Sequence, residues 1–304
     1  MTIVEAEAAQ TKAYSPLKPS RSEFIDLRGK RYHIHRWGNP NAPQLFMLHG
    51  WMDVAASFQF IVDELADDWS IIAPDWSGYI DSEARQGAYY LTEYLADLDM
   101  LLEHYSPNQP ATVVAHSMGA SIATLYAGVR PERINYLVNI EGVGPIRGMV
   151  PHPADMIGDW LTAQREPKQG LFYNSVDDFA DKLMRGNKKL SLANALFLAK
   201  AFVAPNPEGR YLVQVDESVR AKLPLYLHRE QIEEIWQRVS AKMLFLRGSL
   251  SFIHKAMEAD EGGALASFTH IAHFQEYLFE GATHNMHHEI PRDIAQQIEL
   301  FIPR

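Results

Sequence analysis

The chain has no cysteine among its 304 residues. That excludes disulfides, thiolate metal ligands and a cysteine nucleophile, and it gives no sign of an oxidising compartment. Long apolar runs are missing too, so no stretch reads as a membrane span. Residues 1–13 carry Glu5 and Glu7 and have neither the basic start nor the apolar run of a signal peptide. Positive charge is in deficit: 28 Lys and Arg stand against 38 Asp and Glu, a net charge of −10 with His neutral. A nucleic acid or an anionic membrane surface is therefore not an expected partner. There is no internal repeat and no low-complexity tract. What remains is a cytoplasmic protein by expectation, 47% hydrophobic and 22% charged, with enough chain for one large α/β domain plus an insertion.

The most informative stretch is residues 111–129, ATVVAHSMGASIATLYAGV. Its start is small and β-branched, as in a buried strand; from Met118 on, small apolar residues suit a helix lying close to a sheet. Ser117 stands at the junction. A serine on a sharp strand-to-helix turn is lifted above the sheet edge, provided that the residues two before and two after are small, here Ala115 and Gly119. Ser117 as a simple helix cap is the alternative.

Other elements follow in order. Residues 24–27 and 31–37 read as an edge hairpin around Arg28-Gly29-Lys30, with His33 and His35 as ordinary strand residues. Residues 44–48 form a strand that ends in His49-Gly50-Trp51, residues 57–67 have helical spacing, and 69–73 are a strand. Residues 91–105 are a helix, 134–140 a strand ending at Glu141, 242–247 a strand, 274–279 the last strand, and 291–301 a closing helix with Pro291 in its first turn. Between 146 and 237 the alternation stops, and helices are expected near 153–164, 176–185, 190–202 and 230–238. Alternating strands and helices imply a mostly parallel twisted sheet with helices on both faces. Ligands of such sheets bind at the carboxyl ends of the strands, where Trp51, Ser117 and Glu141 all fall.

Ala115-His116-Ser117-Met118-Gly119 resembles the G-x-S-x-G elbow of the serine hydrolases of the α/β-hydrolase superfamily, with alanine at the first glycine. The resemblance implies an α/β-hydrolase fold: an arm at 1–19, a core from 20–145 and 238–304, and a helical lid at 146–237. It makes Ser117 the nucleophile and His284, on the loop after the last strand, the base. The N–H groups of Trp51 and Met118 become the oxyanion hole. In many relatives the acid is an aspartate three places after the glycine that ends the strand at Arg247, but that place holds Ser251. A second arrangement, seen in some haloalkane dehalogenases, puts a glutamate after the strand following the elbow helix, which is the place of Glu141. An unpaired carboxylate at the end of an apolar strand is costly, and a histidine partner explains it. Glu258 and Asp260 are the alternatives.

Dehalogenases and epoxide hydrolases of this superfamily use aspartate at the elbow, whereas serine implies acyl transfer. Where relatives continue D-x-R-G-x-G-x-S, this chain has Asp75-Trp76-Ser77-Gly78-Tyr79-Ile80-Asp81-Ser82. Ile80 in place of a glycine is expected to change that loop, because a β-branched residue avoids positive φ.

A small, largely apolar ester is the expected substrate, with Trp51, Val143, Trp160 and Phe172 as candidate contacts. Leu161, Leu171, Phe197 and Phe202 either join them or pack the lid's own core. No cofactor is implied. No metal is expected either: His33 and His35 lack a third ligand nearby, and His287-His288-Glu289 lacks the His-Glu-x-x-His spacing. A cofactor-free lyase or carbon–carbon hydrolase on the same residues, and a binding protein with a degenerate site, are the other readings. The sequence leaves the oligomeric state open.

Overall fold

The computed structural model describes residues 14–66, 68–145, 152–166, 169–221, 227–259 and 268–303. β1 (Arg21–Leu27) and β2 (Lys30–Trp37) form a hairpin whose connecting residues, Arg28 and Gly29, have φ of 54° and 71°. Two successive left-handed residues give the turn a twist that suits the flanking strands. Then come β3 (Gln44–Leu48), α1 (Gln59–Glu64), β4 (Ser70–Pro74), α2 (Leu91–Tyr105), β5 (Ala111–His116), α3 (Ser117–Val129) and β6 (Ile134–Ile140). The inserted region contributes α4 (Pro153–Arg165), β7 (Phe172–Tyr173), α5 (Val176–Gly186), α6 (Leu192–Phe202), β8 (Val203–Pro205), β9 (Tyr211–Val213) and α7 (Arg229–Trp236). The chain closes with β10 (Lys242–Gly248), α8 (Phe252–Ala259), β11 (Phe274–Phe279), α9 (Met286–Glu289) and α10 (Pro291–Phe301).

The main sheet runs β1-β2-β4-β3-β5-β6-β10-β11, parallel from β4 onward with the β1–β2 hairpin antiparallel at one edge. Its central strands are continuous apolar runs because both faces are covered. Phe46, Val113, Leu137 and Phe245 face one way, toward Leu98 of α2 and Ile122 of α3. Their neighbours Met47, Val114, Val138 and Leu244 face the other way, toward Ile61 of α1 and Ile294 and Ile298 of α10. The alternation is the period of two that a strand imposes. After β3 the chain adds β4 on one side and later β5 on the other. The crevice at the carboxyl ends of β3 and β5 is therefore the topological switch point, where open α/β sheets bind ligands.

The insertion is not wholly helical, as the sequence reading had it. β7, β9 and β8 make a small antiparallel sheet, in strands of two or three residues that are too short to leave a periodicity. Phe179, Leu198 and Phe202 pack there against Val54 and Phe60 of the main domain. α7 also departs from the sequence reading, which placed it in the lid. Its Ile232 and Trp236 are buried in the main core. The start of the insertion, 146–151, lies outside the described residues, as do 1–13 of the arm.

Ile80 takes the left-handed backbone it was expected to avoid, with φ of 49°. Pairing with the inserted region holds it there. Ile80 N–H donates to the Gln214 carbonyl at 2.7 Å, and Asp216 N–H donates to the Gly78 carbonyl at 2.7 Å. Among the described residues, no helix is long and apolar enough to cross a membrane.

Candidate active site

β5 delivers Ser117 to the switch point, and the backbone there is the feature that exposes it. Ser117 has φ of 50°, a conformation costing roughly 1–3 kcal/mol in a residue with a Cβ, which persists only where its surroundings enforce it. The next turn needs Gly119, since a Cβ there would run into the carbonyls of Leu48 and His49. Ala115 is fully buried and fits without displacing the turn.

His284 and Glu141 complete a line. His284 Nε2 lies 3.0 Å from Ser117 Oγ, and His284 Nδ1 lies 2.8 Å from Glu141 Oε2. A carboxylate only accepts, so Nδ1 carries the proton and donates it to Glu141, leaving the Nε2 lone pair for the serine hydroxyl. Glu141 is 1% exposed and would be costly to ionise without partners. It has three: the His284 ring, the Gly248 N–H at 2.8 Å on Oε1, and the Ser251 hydroxyl on Oε2. Its own φ is 57°, fixed by Asn139, whose side chain accepts from Gly142 N–H and donates to the Gly142 carbonyl, both at 2.7 Å. Of the alternative acids, Glu258 pairs with His254 at 3.2 Å, and Asp260 lies outside the described residues.

The loop after β3 flanks the serine. A Cβ on Gly50 would stand 3.1 Å from Ser117 Cβ, so this loop needs glycine to come so close. The loop is locked by His49, which is buried with both ring nitrogens engaged. Nδ1 donates to the Gly50 carbonyl at 2.8 Å, and Nε2 accepts Trp76 N–H at 3.0 Å. That arrangement requires a neutral ring, and burial lowers the His49 pKa accordingly. Met118 is the second residue of α3, where backbone N–H groups have no partner within the helix.

Residues 43–196, just over half of the chain, match the α/β hydrolase fold family. The chain belongs to the α/β-hydrolase superfamily. The hydrolase is 23% identical over 277 residues to a probable serine hydrolase of Drosophila melanogaster, covering 88% of this chain and 82% of that protein. It is 24% identical over 219 residues to a serine hydrolase-like protein of Danio rerio, covering 69% of this chain and 66% of that protein. In structure it is similar to a thioesterase domain from the curacin biosynthetic pathway, with a TM-score of 0.81, 22% identity, and 92% of this chain and 99% of that one covered. A hypothetical protein of Pseudomonas aeruginosa PAO1 gives a TM-score of 0.79 and 26% identity over 92% of this chain and 97% of that one.

The hydrolase treats its candidate substrate contacts unequally. Trp51 is exposed, and its indole N–H donates to the Val219 carbonyl at 3.1 Å, tying the loop after β3 to the inserted region. Phe172 is exposed on β7 and Trp160 is half-buried on α4. Val143 does not fit the role read from the sequence. It is buried in the main core because Arg229 of α7 clamps this segment, donating to the Val143 carbonyl at 2.9 Å. Phe202 packs the core of the inserted region, with Leu171 and Phe197 against it, while Leu161 is exposed.

Sequence reasoning missed Phe252, an exposed ring whose centroid is 4.7 Å from that of His284. It also missed the hydroxyl of Ser251 on Glu141. Glu289 is engaged by Thr283 N–H at 3.0 Å, so it joins no ligand set with its neighbours His287 and His288, which turn instead toward Asp53.

Proposed function

We propose that the hydrolase cleaves small, largely apolar carboxylic esters through an acyl-enzyme on Ser117. The observation that carries this reading is the relay from Ser117 Oγ through the His284 ring to Glu141, with contacts of 3.0 and 2.8 Å. Ser117 Oγ attacks the ester carbonyl and its proton passes to His284 Nε2, while Glu141 holds the ring and offsets the imidazolium charge. The N–H groups of Trp51 and Met118 receive the oxyanion. His284 then returns the proton to the departing alkoxide oxygen, and the alcohol leaves. Water, giving a proton to Nε2, attacks the acyl carbon; the Ser117–acyl bond breaks, Ser117 recovers that proton, and the carboxylic acid is released.

The apolar preference rests on what surrounds the relay. Trp51 is 55% exposed on the oxyanion loop and Phe252 is 53% exposed beside His284, offering flat apolar walls to a substrate. Trp160 and Phe172 are added as contacts from the inserted region.

The test is intact-protein mass after treatment with a small fluorophosphonate. One adduct on the wild type and none on Ser117→Ala is the expected result. A folded wild type that takes no adduct overturns the reading and favours a binding protein with an inert site. An adduct accompanied by cleavage of a carbon–carbon bond, with no ester turned over, moves the chemistry to the lyase or carbon–carbon hydrolase class.

A further inference from the structure

Behind the nucleophile lies a second group of chemistry-bearing side chains that the proposed ester cleavage does not use. Asp53, His116, His287 and His288 converge there from three segments of the chain, all at least nine-tenths buried. His287 Nε2 is 3.2 Å from Asp53 Oδ2, His116 Nδ1 is 3.8 Å from the same oxygen, and His288 Nε2 is 3.9 Å from Asp53 Oδ1. The imidazole centroids of His116 and His287 are 4.1 Å apart, and those of His287 and His288 are 3.9 Å apart.

The hydrogen bonding of this group is incomplete. His116 Nδ1, His287 Nδ1 and His288 Nε2 are buried without a partner. For His116 the direction of the bare nitrogen follows from the opposite side of its ring. Nε2 lies 3.0 Å from the His284 carbonyl, which only accepts, so in the neutral ring Nε2 carries the proton and Nδ1 a lone pair. That lone pair and a carboxylate oxygen then share one buried space. Two acceptors facing each other in a dry interior leave a place for something positive.

We propose that Asp53, His287 and His288 form a binding site for a divalent transition-metal cation of the zinc type, with His116 Nδ1 set against the same carboxylate. One carboxylate and two or three neutral imidazoles are the donor set such ions take, in a tetrahedral arrangement with metal–ligand distances of about 2.0–2.2 Å. Ligands at that distance are spaced by roughly 3.3 Å; the ligand atoms of Asp53, His287 and His288 lie within 4.8 Å of one another, so the group draws in on the ion as it binds. Asp53 and His288 each keep 9% of their side-chain exposure, which provides the way in. Ser57 already orients the carboxylate, donating its hydroxyl to Asp53 Oδ2 at 2.9 Å. The ion takes His287 as its Nδ1–H tautomer, with the Nε2 lone pair turned to the metal. Because His116 precedes Ser117 and bonds the His284 backbone, occupancy is coupled to the relay.

The test is titration of the metal-free protein with cobalt(II), followed by displacement with zinc. The expected result is one equivalent bound with visible absorption of a four-coordinate ion, bleached by zinc and abolished in both His288→Gln and Asp53→Asn. Binding that survives in both folded variants would place the ion on one of the other histidines and overturn the proposal. X-ray absorption of the zinc-loaded wild type needs no variant: two or three imidazoles and one carboxylate support the site, and any other shell refutes it. A folded wild type that takes up no cobalt or zinc also refutes it and leaves a trapped water as the occupant. None of these readouts depends on ester turnover, so the metal site and the proposed reaction stand or fall separately.

Discussion

Two places in this chain can bring a carboxylate to the imidazole of His284, and the chain divides their chemistry. After β6 stands Glu141, buried, with φ of 57°, bonded to the imidazole at 2.8 Å. After β10, where relatives of this kind carry the acid, stands Ser251, whose hydroxyl donates to the same Glu141 oxygen that accepts from His284. Ser251 is thus not an empty position. A donor here helps keep a carboxylate charged in an apolar setting, and the neighbouring Gly248 N–H adds a second donor from the same strand end. The residue at the place where the resemblance led one to expect an acid instead supports the carboxylate of Glu141.

The largest test of that division is Glu141→Gln. A neutral amide in place of the carboxylate no longer favours the productive tautomer of His284 or balances its charge. Loss of about 10³- to 10⁴-fold in kcat for ester hydrolysis is expected, by analogy with removal of the acid from other triads. Adding Ser251→Asp to that variant moves a carboxylate back to the other strand end, within reach of the same imidazole. Recovery of roughly tenfold or more in kcat relative to Glu141→Gln alone is expected. No recovery, with the double variant folded, means that position 251 can support an acid but cannot replace it.

A smaller effect separates support from catalysis. Ser251→Ala leaves Glu141 in place but removes one hydrogen bond to a buried charge, a bond worth about 1.5–3 kcal/mol. Because Gly248 N–H and His284 still hold the carboxylate, the expected cost is roughly ten- to a hundredfold in kcat, with KM little changed. A positioning role predicts the loss in kcat at unchanged KM; a purely structural one predicts a lowered melting temperature with kcat unaltered in the folded protein. Ser251→Thr, which keeps the hydroxyl, is expected to restore most of the rate.

The same contrast marks how far the sequence can be read. Strands such as Ile134–Ile140 and helices such as Leu91–Tyr105 carry their periodicity in consecutive residues, and their bounds follow directly. Ser117 and His284 each stand just after a strand in the order that the resemblance led one to expect, and the structure brings their side chains together. Glu141 was expected from a second family arrangement and from the cost of a carboxylate at the end of an apolar strand, and the structure sets it against the His284 ring. What stayed hidden is long-range. The bond from Ser251 to Glu141 joins residues 110 apart, and the one from His287 to Asp53 joins residues 234 apart. No local pattern records either. Ile80 was misread for a related reason: the strand partner that holds its backbone, near Gln214, lies in the inserted region. Val143 was misread because its burial depends on Arg229, 86 residues on.

The smallest effect concerns the other wall of the site, the loop after β3. Glu141 needs a charge kept by donors, whereas His49 needs a charge kept out. Its Nδ1 already donates to the Gly50 carbonyl and its Nε2 accepts Trp76 N–H, so a proton added to Nε2 would point one N–H at another. Burial also lowers its pKa from the ordinary 6.5. The sign follows from linkage. Above about pH 6.5 both folded and unfolded His49 are neutral, and its contribution to stability is constant. Below that, the unfolded chain takes up a proton that the folded ring refuses, so stability falls as the pH falls. Melting temperatures of the wild type are therefore expected to drop between pH 6.5 and 5. In His49→Asn the drop is expected to be shallower by up to one proton's worth of slope, with the remainder belonging to other buried imidazoles. Equal slopes in the two proteins would mean that His49 is protonated in the fold. The loop carrying Trp51 would then be held by something other than the neutral ring, and the contrast between the two walls of the site would fail.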